Sequence, residues 1–282
     1  MAPIKIFTDS TNDLNPHYLK ENEIGVVPLY VVFGDDSYRD GVDITPEVLY
    51  RKVEQSGKLP KTAAPSPADF EKAFRPHIEQ GFDIVYIGLS SEVSSTYQNA
   101  VLTSDLFPEG RVTVIDSRNL ATGIGILICK AVEAAKQERS AAEIEAMVKS
   151  FIPKVSTEFI IDTLDYLHKG GRCTSLQAFF GSLLKIRPVV QVKDGSMILT
   201  SKVRGKREKA LEQLVDNALA FKHEMDPDVL FVTHSMAQEE AELVRARLLQ
   251  ETGVKRIEIT ETGCVVSSHC GPQTVGIVFI KS

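Results

Sequence analysis

The chain has 282 residues, 43% hydrophobic and 25% charged, with a formal net charge of −6 at pH 7. Such a composition belongs to a soluble globular protein long enough for two ordinary domains, each with its own core, and the acidic balance argues against nucleic acid as the main partner. The longest apolar stretch, residues 124–129, is far too short to cross a bilayer.

The opening residues, MAPIKIFTDS, lack the pattern of a signal peptide and run straight into a strand at 4–8. The polar turn Asp9-Ser10-Thr11 follows, and Asn12 or Asp13 is placed to cap a helix through His17, Tyr18 and Leu19. Residues 24–33 form one Val-rich apolar run that reads as a strand. Gly34-Asp35-Asp36-Ser37 then turns the chain, and 38–43 can return as a short strand, making a hairpin arm. Thr45-Pro46-Glu47 starts a helix, with a cap followed by proline. The stretch Thr62-Ala63-Ala64-Pro65-Ser66-Pro67 interrupts the regular pattern before a helix at 67–77.

Residues 84–89 are an apolar run of the kind that makes a strand buried on both faces. The run breaks into Ser90, Ser91, Ser94, Ser95 and Thr96, and a helical pattern begins at Tyr97. A strand at 112–116, a long helix at 120–137 and an amphipathic helix at 141–151 follow; Gly123 and Gly125 in the long helix imply close packing. Strands alternating with helices predict a largely parallel α/β sheet, whose ligands sit at the carboxyl ends of strands. Asp9-Ser10, Ser90 to Ser95 and Asp116-Ser117 fall at such ends.

Pro153 and the run 157–162 mark a change of character, dividing the chain into an N-terminal α/β domain at 1–155 and a mixed α+β domain at 156–282. In the second part, 165–172 reads as a short helix closed by glycine, 175–185 as an apolar helix, and 188–193 with 197–203 as a hairpin around Asp194-Gly195. A helix at 206–222 places Ala210, Leu211, Leu214, Val215, Ala218 and Phe221 on one face. Strands at 229–233, 257–260 and 275–280 and a helix at 237–250 complete it. The four cysteines, Cys129, Cys173, Cys264 and Cys270, have neither C-x-x-C pairing nor metal-ligand spacing and read as reduced thiols of a cytoplasmic protein. Between 165 and 209, ten Lys or Arg stand against three Asp or Glu, which makes either a solvated surface or a docking face for an acidic partner.

Strand, hydroxyl-rich turn and helix start together can hold an anion, because the first helical N–H groups lack internal partners and small hydroxyls add donors. Ser94 or Ser95 can equally well serve only to cap the helix. Thr62 in its proline-bounded loop, Arg172 after two glycines and His269 before Cys270-Gly271-Pro272 also stand out, although each alone has a purely structural explanation.

Taken together, Asp9-Ser10-Thr11, Thr62-Ala63-Ala64-Pro65-Ser66, the stretch from Ser90 to Gln98, Tyr166-Leu167-His168-Lys169-Gly170-Gly171-Arg172 and His269-Cys270-Gly271-Pro272 resemble the motifs of the DegV family, in order and spacing. The resemblance implies a two-domain α/β fold related to a domain of dihydroxyacetone kinases. It also implies a long-chain fatty acid between the domains, as bound ligand rather than cofactor, with its carboxylate on hydroxyls and its tail in an apolar tunnel. Several members of that family are acyl-carrying subunits of a bacterial fatty acid kinase and present the carboxylate to a separate ATP-binding subunit for acyl phosphate formation. Carried over to this sequence, Thr62, Ser94, Ser95 and His269 hold the carboxylate, while Arg172, Lys202 and Arg204 face the partner; no catalytic residue and no metal ligand is implied. The chain departs from the family pattern at Ser95 and Gln273, where glycine is usual, and at Ala64, where glutamine is common.

A tail of roughly fourteen methylenes offers about 11 kcal/mol before binding costs, whereas each polar contact is worth about 1–3 kcal/mol. The polar groups therefore serve mainly to orient the ligand. A histidine beside a carboxylate is expected to become protonated. Two other readings remain. One is a serine hydrolase using Ser94 or Ser95 with His269 as base. Against it, Glu92 stands where a nucleophile elbow has its second glycine, and a triad acid is unidentified. The other is a phosphotransferase, for which the sequence lacks a G-x-x-x-x-G-K-[ST] loop.

Overall fold

A computed structural model describes residues 2–172 and 186–282. The helix expected at 175–185 and Cys173 lie outside the described residues. The chain begins with β1 (Ile4–Asp9), a 3-10 turn at Ser10–Asn12, α1 (Pro16–Glu21), β2 (Gly25–Val27), β3 (Tyr30–Phe33) and β4 (Asp36–Arg39). It continues through α2 (Pro46–Ser56), β5 (Lys61–Ala63), α3 (Pro67–Glu79), β6 (Asp83–Gly88), α4 (Thr96–Ser104), β7 (Val112–Asp116), α5 (Thr122–Lys136) and α6 (Ala141–Phe151). After β8 (Val155–Ile160) and α7 (Asp165–Gly170) come β9 (Ile186–Lys193), β10 (Ser196–Arg204), α8 (Arg207–Leu219), β11 (Leu230–Ser235), α9 (Gln238–Glu251), β12 (Ile257–Glu261), α10 (Cys264–Cys270) and β13 (Thr274–Ile280).

Three sheets result. The first is all parallel, in the order β2-β1-β6-β7. Its central β6 is apolar along its length because helices cover both faces, as the run at 84–89 predicts. The second is mixed and six-stranded, in the order β10-β9-β8-β13-β11-β12, with only β11 and β12 parallel. The third is the expected arm, enlarged to β4-β3-β5. The α/β architecture expected from the sequence is therefore present.

Several local details differ from expectation. The run at 24–33 is two strands in different sheets, separated at Pro28, whose ring nitrogen cannot donate to a ladder. Asn15, rather than Asn12 or Asp13, caps α1, since Pro16 occupies its first turn; Asp13 instead sits in the left-handed region at φ 51°. Segment 61–63, read as an interruption, is the strand that pairs with Tyr30 to Val32 and carries Thr62.

Helix α5 lies between the parallel and the mixed sheets and is buried at every position from Thr122 to Val132. Its two glycines are forced by contact: a Cβ on Gly123 would lie 1.9 Å from Asn119 Oδ1, and one on Gly125 would lie 2.8 Å from Leu14. Around α5, Ile6, Val85 and Ile87 of the first sheet join Phe231 and Val278 of the second in one hydrophobic cluster. The largest core is thus shared between the two parts of the chain. Smaller clusters lie outside it, with Phe70, Phe74 and Tyr86 under α3 and α4, and Leu214, Val215, Val244 and Leu248 under α8 and α9. Among the described residues, no helix is long and apolar enough to cross a membrane.

Candidate functional site

The carboxyl ends of β1 and β6 meet through Asp9, which accepts from Tyr86 Oη at 2.7 Å and from the N–H of Leu89 at 2.8 Å. The hydroxyl-rich turn beyond β6 divides its labour. Ser90 Oγ donates to Gly195 O at 2.8 Å, fastening the turn between β9 and β10, and Ser91 Oγ donates to Asp116 at 2.6 Å. Ser94 Oγ accepts from the N–H of Thr96 at 3.2 Å and shares a hydrogen with Thr96 Oγ1 at 2.8 Å, an ST-type turn that starts α4. Ser95 occupies the cap position but makes no side-chain cap bond and is exposed.

His269 rides on α10, a helix absent from the sequence expectation. Two buried carboxylates from far upstream hold that helix's N-terminus. Asp13 Oδ1 accepts the N–H of Gly263 at 2.8 Å, Asp40 Oδ1 that of Cys264 at 2.7 Å, and Asp40 Oδ2 that of Val265 at 3.3 Å. Ser10 Oγ also donates to Asp40, at 2.9 Å. At the other end of α10, His269 Nε2 meets Thr62 Oγ1 at 2.9 Å. The arm sheet thus grips both ends of α10, through Asp40 just beyond β4 and Thr62 in β5.

Between the sheets lies a cleft of about 820 Å³, part of it open to solvent, with Thr62, Ser94, Arg172 and His269 in its wall. Leu29, Leu89, Val93, Leu120, Phe159, Leu167, Met197, Val265, Val266 and Val278 make its wall largely apolar. Arg172 Nε approaches Val93 O at 3.4 Å while Nη1 donates to Gly170 O at 2.8 Å, and Gly170 backs directly onto His269. The predicted polar residues therefore gather at one corner, with the exceptions of Ser95, Lys202 and Arg204. Lys202 and Arg204 are exposed on β10, roughly 16 Å and more along the strand from Met197. Thr11 of the Asp9-Ser10-Thr11 motif also lies in the wall, and Thr157, Thr233, Thr262 and Thr274 add hydroxyls that the sequence did not single out.

His269 is neutral here. Burial, aided by the nearby Arg172 charge, pushes its pKa down to about 4, and among the described residues Nδ1 has no hydrogen-bond partner. A catalytic triad is not assembled: among the described residues no hydrogen bond joins Ser94 or Ser95 to His269, and Nδ1 lacks the carboxylate that would orient it. Cys129, Cys264 and Cys270 are free and buried, and burial pushes the Cys270 thiol up to about 12, which leaves it inert beside His269. Among the described residues, no group of three His, Cys, Asp or Glu is arranged to hold a metal ion.

The sequence model described as "Uncharacterised protein, DegV family" matches residues 3–282. The chain belongs to the DegV family. A DegV domain-containing protein of Caldanaerobacter subterraneus subsp. tengcongensis is 33% identical over 279 residues, covering 99% of both chains. Among solved structures, a DegV-family protein from Thermus thermophilus described for fatty acid binding is 31% identical, with a TM-score of 0.93 and full coverage of both chains. A stearic acid-binding protein from Eubacterium ventriosum is 27% identical, with a TM-score of 0.89 over 99% of this chain and 98% of that one. This DegV-family chain thus shares its whole fold, including the cleft-bearing layers, with proteins described as fatty-acid binders.

Proposed function

We propose that the protein binds a long-chain fatty acid in the cleft between an N-terminal unit, residues 1–155, and a C-terminal unit, residues 156–282. The observation that carries this reading is an apolar cleft ending in one polar corner, where Ser94, Arg172 and the Thr62–His269 pair converge. In this reading the carboxylate lies on Thr62, Ser94 and His269, and Leu89, Phe159, Leu167 and Val278 surround the tail. Ser95, exposed, acts on the turn rather than on the ligand. Burial of the tail supplies most of the affinity, and the hydroxyls fix which end stays at the corner. The similar proteins described as fatty-acid binders support the same ligand class.

The finer part of the proposal is presentation. The protein carries no chemistry of its own and needs no metal or organic cofactor; it shields the tail and offers the carboxylate to a separate ATP-binding kinase subunit in the cytoplasm. Arg172, Lys202 and Arg204, all exposed, contribute to the face that meets this partner.

Mass spectrometry of an organic extract of the purified protein, repeated on Ser94→Ala, tests the ligand assignment. A stoichiometric long-chain fatty acid, reduced in the variant, is expected. Retention of lipid equal to wild type moves the carboxylate elsewhere, and a protein that is empty and refuses added fatty acid overturns the reading. For presentation, Arg172→Glu is expected to lower acyl phosphate formation by an added kinase subunit while leaving fatty acid content unchanged.

A further inference from the structure

Away from the cleft's polar corner, two arginines from different elements converge on one oxygen. Arg187, near the start of β9, places Nη2 3.2 Å from Asp162 Oδ1, and Arg207, the first residue of α8, places Nη1 3.7 Å from that same atom. The side chains are only 26% and 15% exposed, whereas Asp162 is 40% exposed. Arg207 is locked in place: Nε donates to Glu240 Oε1 at 2.6 Å, and Nη2 donates to Glu240 Oε2 and to Gln273 O, both at 2.5 Å. Arg187 Nη1 reaches the backbone O of Asp162 at 3.4 Å. Two nitrogens, Arg187 Nε and Arg207 Nη1, nevertheless remain buried without a hydrogen-bond partner among the described residues.

Asp162 and Glu240 together balance the two guanidinium charges, but Asp162 does not fill the donors that face it. A carboxylate that fitted would accept from the free N–H groups; this one stands at ion-pair distance and forms no side-chain hydrogen bond with either guanidinium. Guanidinium forks match oxyanions that offer several acceptor oxygens, phosphate above all. Buried donors left unmade are a cost that native structures avoid unless something else satisfies them. We infer that Arg187 and Arg207 form a binding site for a phosphate-type oxyanion, with Asp162 as the weak internal occupant that the anion displaces. The site lies against Gln273, next to the cleft-lining Thr274, and Asp162 stands three residues before the start of α7. It is independent of what fills the cleft.

The experiment is calorimetric titration of the full chain with inorganic phosphate against sodium chloride of matched ionic strength. Wild type is expected to bind phosphate in the millimolar range. Asp162→Asn, which removes the competitor and leaves both arginines in place, should bind at least fivefold tighter, and Arg187→Gln should lose binding. Arg187 is the better arginine to remove, because replacing Arg207 strands Glu240. Phenyl phosphate in place of inorganic phosphate separates the sources: equal or tighter binding assigns the site to a phosphoryl group on a larger molecule, and binding of inorganic phosphate alone assigns it to the free anion. Asp162→Asn binding no tighter than wild type, or Arg187→Gln binding as well as wild type, overturns the inference.

Discussion

Thr62 and His269, 207 positions apart in the chain, meet at 2.9 Å, and their contact closes the arm sheet onto α10. Among the described residues it gives a half-buried, neutral imidazole its one hydrogen bond, since Nδ1 has none. It also places a hydroxyl and a ring nitrogen side by side, facing an apolar cleft.

Thr62→Val keeps the β-branched shape that suits the strand and removes only the hydroxyl. Both ring nitrogens of His269 then lack a partner, at a cost of about 1–2 kcal/mol in stability. Fatty acid affinity should fall about tenfold, read by displacement of a fluorescent fatty acid, while urea unfolding reports the stability loss.

The depressed pKa of His269, about 4, has a definite sign in pH space. Above the ordinary value near 6.5 neither the folded nor the unfolded chain holds the proton. As pH falls from 6.5 towards 4 only the unfolded chain takes it up, so the folded state loses up to about 3 kcal/mol. His269→Gln should flatten the stability profile in that window. A bound fatty acid carboxylate should raise the pKa, which an NMR titration of the imidazole with and without ligand will show.

The two carboxylates at the start of α10 should respond oppositely to the same substitution. Burial pushes the Asp13 carboxyl well above its usual range, and its Oδ2 has no partner among the described residues. The cost of its charge is present above the folded pKa and vanishes below the unfolded one. Asp13→Asn keeps an acceptor for Gly263 and suits the left-handed backbone at φ 51°. It should stabilise by about 1–2 kcal/mol at pH 7, with the gain shrinking as the pH approaches 4. Both oxygens of Asp40 are already engaged by donors from Ser10, Cys264 and Val265, so Asp40→Asn turns an amide NH2 towards some of them. It should destabilise by about 1–3 kcal/mol. Urea unfolding at pH 7 and pH 5 distinguishes the two responses.

Ala121, in the cleft wall just before α5, is held at φ 52° and ψ −142°, a region that suits glycine. Ala121→Gly should relieve that strain and, after the added entropy of the unfolded chain, stabilise by about 1 kcal/mol. A thermal midpoint raised by a few degrees is the expected readout.

The parts of the fold legible in the sequence are those with a strong local signal. The run at 84–89 reads as a buried strand because helices cover the parallel sheet, whereas 112–116, also read as buried, is an edge strand in which only Ile115 is buried. Strand β5 was illegible, being three residues long with a partner some thirty positions upstream. Helix α10, Cys264–Cys270, contains valines and serines of weak helix propensity; carboxylates more than two hundred positions away hold its first N–H groups. Gly263 before it and Gly271-Pro272 after it were the available punctuation. For the site, Ser94 was visible as a turn serine, but its membership in the cleft rested on the resemblance, since a cap and an anion donor look alike locally. The wall threonines Thr157, Thr233, Thr262 and Thr274 come from four separate segments, and no spacing in the chain announces them.

Because α5 is packed on all sides by residues of both major sheets, neither sheet retains a complete core without the other. Heat or urea should therefore take the chain through one cooperative transition, with no populated half-molecule on the way. A ligand in the cleft then raises that single midpoint for the entire molecule, and a cavity cut into α5 at Ile124 or Leu127 lowers it for both sheets at once.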